Sequence, residues 1–407
     1  MLGGMGVRFI HTSDWQLGMT RHFLSDQAQA LYAQDQIEGI VQLGRLAADR
    51  CCDFVLVAGD VYETAQPPRA VLSRSLEAMA SIAAPVYLLP GNHDPFNSSS
   101  LWTGSHFRDH APPNVHVLEN SSPRQVAGTS ARLVAAPLVS KKPSNDLVAS
   151  AIEQLRSLSE LPEPGSFTIV VGHGQIDALG FGSPSDGPMQ DSGRLSLSVI
   201  EEAISQGFCH YVALGDRHST TQLGTGPIGA ASKIWYSGAL LATNFDEVEV
   251  ESNCALVVDI ADDGAVCVEQ VEVGKWSFIA EHRSISSSED IELLGEWLGS
   301  LEDKSRTAIK LALIGTVNMS GRARLNEILE YHRDLFASLE ESERRTDLVV
   351  LADDADLGDL GLTGFARSAL DELCEMAVNE TSGADKPDHS VATDALMLLH
   401  RLARSAS

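Results

Sequence analysis

Short β-rich runs, each ending in a polar and chemically capable cluster, constrain this chain more than anything else in it. Residues 7–11, 54–58, 86–89, 133–136, 167–171, 211–214 and 234–236 are apolar and rich in β-branched or aromatic side chains, as strands require. Between them, residues 26–50 and 69–83 repeat apolar side chains at helical spacing. Such alternation predicts an α/β domain. Residues 255–260 and 265–273 alternate around Asp262-Asp263-Gly264, which predicts a hairpin closing the sheet structure.

The chain has 407 residues, more than one core usually organises. A boundary near residue 280 is expected, with a domain over 1–280, a smaller α/β region over 281–360 and a helical tail over 361–407. In the later part the pattern predicts a helix at 289–302, a strand at 308–314, a long helix at 321–341, a strand at 348–351 and helices at 365–379 and 390–404. Leu325, Ile328, Leu329, Leu335, Phe336 and Leu339 give the long helix its core face. Val391, Leu396, Leu399 and Leu402 give the last helix an apolar face that suits either a core or a docking partner. The Ser/Gly/Pro-rich stretch 182–196 reads as one long loop.

No run reaches the roughly 18 apolar residues of a membrane helix, and the first residues lack a basic, apolar leader. The expectation is a cytoplasmic protein with no membrane role. Six cysteines, at 51, 52, 209, 254, 267 and 374, show no paired metal spacing and read as buried thiols of a reducing compartment. The net charge of −27 repels a polyanion over most of the surface. A nucleic-acid substrate would then need bound cations, a local basic patch or a partner that carries the phosphate contacts.

Five clusters carry the chemistry: His11-Thr12-Ser13-Asp14-Trp15-Gln16, Ala58-Gly59-Asp60-Val61-Tyr62-Glu63, Pro90-Gly91-Asn92-His93-Asp94, Val171-Gly172-His173-Gly174 and Leu214-Gly215-Asp216-Arg217-His218. Each directly follows a predicted strand, and ligands of open α/β sheets gather at the carboxyl ends of strands. Two cations about 3.5–4 Å apart clamp the attacking and leaving oxygens of an in-line displacement at phosphorus. Holding them takes a shared carboxylate and mixed oxygen and nitrogen donors, which these clusters supply. Taken singly, a Gly-Asp pair is usually a turn and Asn92 is a good helix cap; five together after five strands are not explained that way. Gly224-x-Gly226-x-x-Gly229 matches a dinucleotide fingerprint only in its letters, since Pro227 interrupts it and no helix follows. Asp353-Asp354-Ala355-Asp356 lacks the glycine and the closing glutamate of a calcium loop.

In order and wording these clusters resemble the calcineurin-like metallophosphoesterase superfamily, and in detail the SbcD-type DNA repair exonucleases. The opening His11 to Gly18, Ala58 to Glu63, Leu89 to Asp94 and the later Trp235-Tyr236-Ser237-Gly238 carry the likeness, which covers residues 7–280 and reaches the rest only by layout. The resemblance implies a four-layer αββα sandwich with a small C-terminal α/β capping region and a helical tail. It implies Asp14, Gln16, Asp60 and His218 around one divalent cation, and Asp60, Asn92, His173 and Asp216 around the other. His93 matches the histidine that assists the leaving oxygen, and Asp94 is expected to orient it through a hydrogen bond. DNA as substrate, a homodimer and an SbcC-type coiled-coil ATPase docked on the C-terminal helices are further implications.

Two positions depart from that pattern. The family usually has histidine where Gln16 stands, and its final Gly-His-x-His is here Gly215-Asp216-Arg217-His218. Each cation loses an imidazole and gains an oxygen donor, which predicts preference for manganese, with magnesium or iron as alternatives. The rival is a weak first metal site, loaded with substrate, or lost activity. Arg217 reads as either a phosphate contact or a solvated loop residue, and Glu63 replaces a histidine that often lies near the DNA strand. The expected function is metal-dependent exonuclease or endonuclease hydrolysis of phosphodiester bonds at DNA ends in DNA repair. The alternatives are a small-molecule phosphodiesterase or phosphomonoesterase on the same metals, and a catalytically weak scaffold.

Overall fold

The structure is a computed structural model and describes residues 6–158, 165–178, 193–224, 233–245, 251–351, 364–378 and 395. The chain divides into two compact units, Met1–His22 with Gln29–Trp276, and Phe23–Ala28 with Ser277–Ser407.

In the first unit, β1 (Val7–Thr12), β2 (Phe54–Val57), β3 (Val86–Leu88) and β4 (Val115–Val117) are parallel neighbours. The hairpin β11 (Cys254–Ile260) and β12 (Val266–Glu272) extends this sheet antiparallel to β1, giving the order β12-β11-β1-β2-β3-β4. A second sheet holds β5 (Arg124–Gln125), β6 (Ala131–Ala135), β7 (Phe167–His173), β8 (Tyr211–Gly215), β9 (Thr221–Leu223) and β10 (Ile234–Tyr236) in the order β5-β6-β7-β8-β10-β9.

Side chains of a strand alternate between the two faces of its sheet, and here both faces are buried. Phe9, Phe54, Leu56, Ile169, Tyr211 and Ala213 fill the space between the two sheets. Their neighbours Ile10, Val55 and Val57 point the other way, against helices α1 (Asp26–Asp49) and α2 (Arg69–Ala80). A short helix, α3 (Ser105–His110), follows β3 and adds Phe107 to that layer. Val170 and Val212 likewise face α4 (Leu147–Ser157) and α5 (Leu197–Ser205). This is a four-layer αββα sandwich, read directly from a period of two in the strands. Neither α4 nor α5 stood out in the sequence; α4 is started by Asp146, whose carboxylate accepts from the Ala149 N–H at 2.8 Å.

The second unit opens with β13 (Ser277–Ile285), which runs parallel to β14 (Thr307–Asn318), with α6 (Ser288–Ser300) between them. The predicted long helix 321–341 is corrected. Helix α7 (Met319–Arg333) stops at Asp334, and Ser338–Glu341 forms β15, parallel to β14 at Ala308–Leu311. Leu325, Ile328 and Leu329 are buried on the helix and Leu339 in the strand, whereas Leu335 is exposed. The edge of β14 offers ladder partners that helix propensity cannot foresee. β16 (Asp347–Leu351) pairs with the remainder of that edge. Helix α8 (Phe365–Val378) is the last described element. The predicted helix 390–404, the acidic turn at 353–356 and most of the loop 182–196 and of the glycine run lie outside the described residues.

Among the described residues no helix is long and apolar enough to cross a membrane. Cys209 and Cys254 are buried thiols, but Cys51 and Cys267 are exposed, so burial does not account for all of the cysteines.

Candidate metal centre

The five sequence clusters occupy the carboxyl ends of β1, β2 and β3 in one sheet and of β7 and β8 in the other. The loops after β1 and β2 continue the ladder beyond the strands: Asp14 N donates to Gly59 O, Gln16 N to Asp60 O and Leu17 N to Val61 O, each at 3.0 Å. These contacts hold residues in the left-handed backbone region. Asp14 (φ 52°), Gln16 (φ 45°), Asp60 (φ 52°) and Asp216 (φ 96°) all lie there. Aspartate tolerates this region, but glutamine is not among the residues favoured in it. Each such residue costs on the order of 1–3 kcal/mol and persists because its surroundings over-determine it.

Close approach also dictates two glycines. A Cβ on Gly59 would lie 2.1 Å from His173 Nδ1, and one on Gly91 would lie 2.1 Å from Asp60 Oδ1. The backbone of each loop is thereby laid directly against the side chain it serves.

Donor atoms of Asp14, Asp60 and His173 all lie within 4.8 Å of one another. His173 Nδ1 donates to the Ala58 carbonyl at 2.8 Å, which leaves Nε2 to face Asp60 Oδ2 at 3.3 Å and Asp216 Oδ1 at 3.7 Å. One terminal atom of the Asn92 amide sits 2.8 Å from His173 Nε2 and 3.0 and 3.1 Å from the two Asp60 oxygens. With nitrogen there, the amide donates to Asp60. With oxygen there, acceptors crowd one point and a cation reconciles them.

On the other side of Asp60, His218 Nε2 lies 3.8 Å from Asp14 Oδ1, and His218 Nδ1 pairs with Thr243 Oγ1 at 2.7 Å. Gln16 Nε2 lies 3.2 Å from His218 Nε2, while Gln16 Oε1 is buried with no hydrogen-bond partner. An orphaned buried oxygen beside carboxylates fits a cation position and nothing apolar.

Electrostatics point the same way. Burial raises Asp14, and burial raises Asp216 to about 6. Burial also opposes the charge of Asp60, but the neighbouring His173 outweighs it and holds Asp60 below the ordinary carboxylate range. A cluster of buried acids of this kind is resolved by a positive counter-charge. The donor set therefore fits two divalent cations sharing Asp60.

His93 stands at the mouth, with 36 % of its side chain exposed and Nε2 4.0 Å from Asp60 Oδ2. Its Nδ1 donates to the Glu63 carbonyl at 3.0 Å, and the Glu63 carboxylate lies 3.7 Å away. The hydrogen bond expected from Asp94 is corrected by this arrangement. Asp94 is buried and its two oxygens accept from Gly91 N at 2.7 Å and Tyr62 N at 3.0 Å. Trp102 Nε1 donates to the Asp94 carbonyl. Asp94 thus braces the loops that carry Asp60 and Asn92, because its carboxylate is the acceptor those buried N–H groups need. Arg217 donates through Nε to Thr221 Oγ1 at 2.7 Å.

Sequence reasoning passed over the residues that hold the ligands in place. Thr243 sets the tautomer of His218 and had no motif to mark it. Tyr236 donates to Gly174 O at 2.6 Å and accepts from Ile176 N at 3.1 Å, fixing the loop after His173; its Trp-Tyr-Ser-Gly context was the available signal.

Comparison with known proteins follows the same lines. Residues 7–191 match the calcineurin-like phosphoesterase family. Over 275 residues the chain is 25% identical to the SbcD subunit of the SbcCD nuclease from Staphylococcus epidermidis, covering 63% of this chain and 67% of that one. The SbcD subunit of the Bacillus subtilis SbcCD nuclease is 24% identical over 275 residues, 62% of this chain and 66% of its own. The DNA double-strand break repair protein Mre11 of Methanococcus maripaludis is 28% identical over 93 residues, 22% of this chain and 23% of its own. The alignment thus spans about two thirds of the two SbcD proteins.

Proposed function

Because this chain belongs to the calcineurin-like metallophosphoesterases and is of the SbcD type, we propose that it is a metal-dependent nuclease hydrolysing phosphodiester bonds at DNA ends, the nuclease component of an SbcCD-like complex. The observation that carries the reading is the convergence of Asp14, Asp60 and His173 within 4.8 Å, with Asn92, Asp216 and His218 beside them, under an exposed His93.

Bound divalent cations supply Lewis acidity and make water available as a nucleophile near neutral pH. Asp60 is the shared ligand; Asp14, Gln16 and His218 complete one position, and Asn92, His173 and Asp216 the other. His93, with Nδ1–H committed to the Glu63 carbonyl, keeps Nε2 to hold or give a proton at the leaving oxygen. Gln16 and Asp216 supply oxygen where imidazoles would bring nitrogen, which favours Mn²⁺ over Zn²⁺. The strong acidity of the chain favours a partner that grips DNA, and the names of its relatives supply the class of that partner, a coiled-coil ATPase of the SbcC type. The same acidity keeps a small phosphodiester substrate as the second reading.

Mn²⁺-dependent release of nucleotides from linear duplex DNA tests the assignment, with bis-p-nitrophenyl phosphate alongside. Asp60→Ala abolishes digestion, and His93→Ala lowers kcat by about 10²–10⁴-fold with metal content unchanged. Cleavage confined to the small phosphodiester, even with an ATPase partner present, would transfer the assignment to the second reading.

A further inference from the structure

The two cation positions are not equivalent in this chain, and Gln16 makes the difference. Asp60, Asn92, His173 and Asp216 present their donors to a common point, and His173 Nδ1 is tied to the Ala58 carbonyl so that Nε2 is preset as a ligand. Across Asp60 the arrangement is different. The Gln16 amide N–H lies 3.2 Å from His218 Nε2. His218 Nδ1–H is directed at Thr243 Oγ1, so Nε2 carries the lone pair and accepts from Gln16. That lone pair is the one a cation between Asp14 and His218 requires.

The opposite end of the same amide is the buried oxygen with no partner. Gln16 is 3 % exposed, and its backbone is pinned by Gln16 N to Asp60 O at 3.0 Å and by Gln36 Nε2 to Gln16 O at 2.8 Å. The backbone cannot withdraw, so the freedom left is rotation of the amide. A half-turn of the amide does two things together: it uncovers the His218 lone pair and brings Oε1 to where Nε2 stood.

We propose that Gln16 is a latch that splits the metal centre into one tight site, Asp60/Asn92/His173/Asp216, and one weak site, Asp14/Gln16/His218 with shared Asp60, which fills only when the amide turns. This rests on the two-cation reading of the centre. Breaking a buried neutral hydrogen bond, and accepting a neutral amide oxygen in place of an imidazole, separates the two affinities by at least about ten-fold.

Mn²⁺ binding to the full-length chain, followed by calorimetry and by the EPR signal of free Mn²⁺, tests the latch without reference to activity. The native chain is expected to bind one Mn²⁺ tightly and a second at least about ten-fold more weakly. Gln16→His removes the latch, adds an imidazole and suits the left-handed backbone; it should bring the two affinities within about three-fold of each other, well inside that ten-fold split. Gln16→Glu, which cannot donate to His218, should also tighten the second site, and serves if the histidine variant does not fold. Two equal sites in the native chain, or a split unchanged in whichever of these variants folds, would overturn the latch. Absence of any Mn²⁺ binding to the folded native chain would instead overturn the metal-dependent reading itself.

Discussion

At the end of β1, His11 and Asp14 are three positions apart and meet opposite fates. His11 is fully buried; its Nε2 lies 3.2 Å from the Leu214 carbonyl, which can only accept, so Nε2 carries the hydrogen and Nδ1 accepts from Tyr211 Oη at 3.0 Å. The ring is satisfied as a neutral base, and burial lowers its pKa to about 3. The unfolded chain takes up a proton near the ordinary value of 6.5, and the folded chain refuses it until about 3. Stability from His11 is therefore complete above about pH 6.5 and declines as pH falls toward 3, by about 1.4 kcal/mol per pH unit. Urea midpoints measured between pH 7 and pH 4 should show the decline. His11→Asn, neutral throughout, should start less stable but lose one proton's worth of slope; an unchanged slope would assign the acid sensitivity to other groups. The chemical type of each site residue was visible in the letters. The hydrogen-bond partner was not: Asp94 adjoins His93 in sequence but serves Gly91 and Tyr62, while Glu63, 30 residues earlier, holds His93.

At the scale of an element, a loop can be shaped as closely as a core. The loop after β3 brings Gly91 so near Asp60 that an added Cβ would fall 2.1 Å from Oδ1. Gly91→Ala should displace the shared ligand and weaken Mn²⁺ binding by about 10–100-fold, the size of effect seen when a ligand's support is removed. Far-UV circular dichroism should stay native, since the loop lies outside the strands; collapse of the spectrum would show that Gly91 serves the fold and not the ligand. In the second unit, α6 begins with a capping box in which Ser287 Oγ accepts from Asp290 N and the Asp290 carboxylate accepts from Ser287 N. Ser287→Ala should cost about 1 kcal/mol, read as a lower denaturant midpoint. A midpoint shift of zero would mean that solvent caps α6 as well as Ser287 does. Helix α7 shows the limit of periodicity. Leu335, Phe336 and Leu339 continue its apolar spacing, yet pairing with β14 takes Leu339 into a strand.

Over the whole molecule, two units each enclose their own apolar core, with the metal ligands confined to the first. A ligand stabilises the state that binds it, by about 2.7 kcal/mol at one hundred times its dissociation constant. Heating should give two transitions, and Mn²⁺ at that excess should raise one while leaving the other in place; EDTA should reverse the shift. Ser287→Ala should move the transition that Mn²⁺ leaves unchanged. A single transition, raised as a whole by Mn²⁺, would show that the units unfold together.

The order of strands, the αββα layering and the residue types of the metal centre were determined by the sequence alone. Alternating burial and strand-end clusters are local patterns, and local patterns survive in one dimension. Tertiary structure decided what depends on contacts between distant segments: the left-handed backbone at Gln16 held by the β2 loop, its amide set against a histidine 202 positions away, and the strand carved from the end of a helical pattern. Those outcomes follow from which hydrogen-bond donors and acceptors meet when two sheets stack, and no spacing along the chain encodes that meeting.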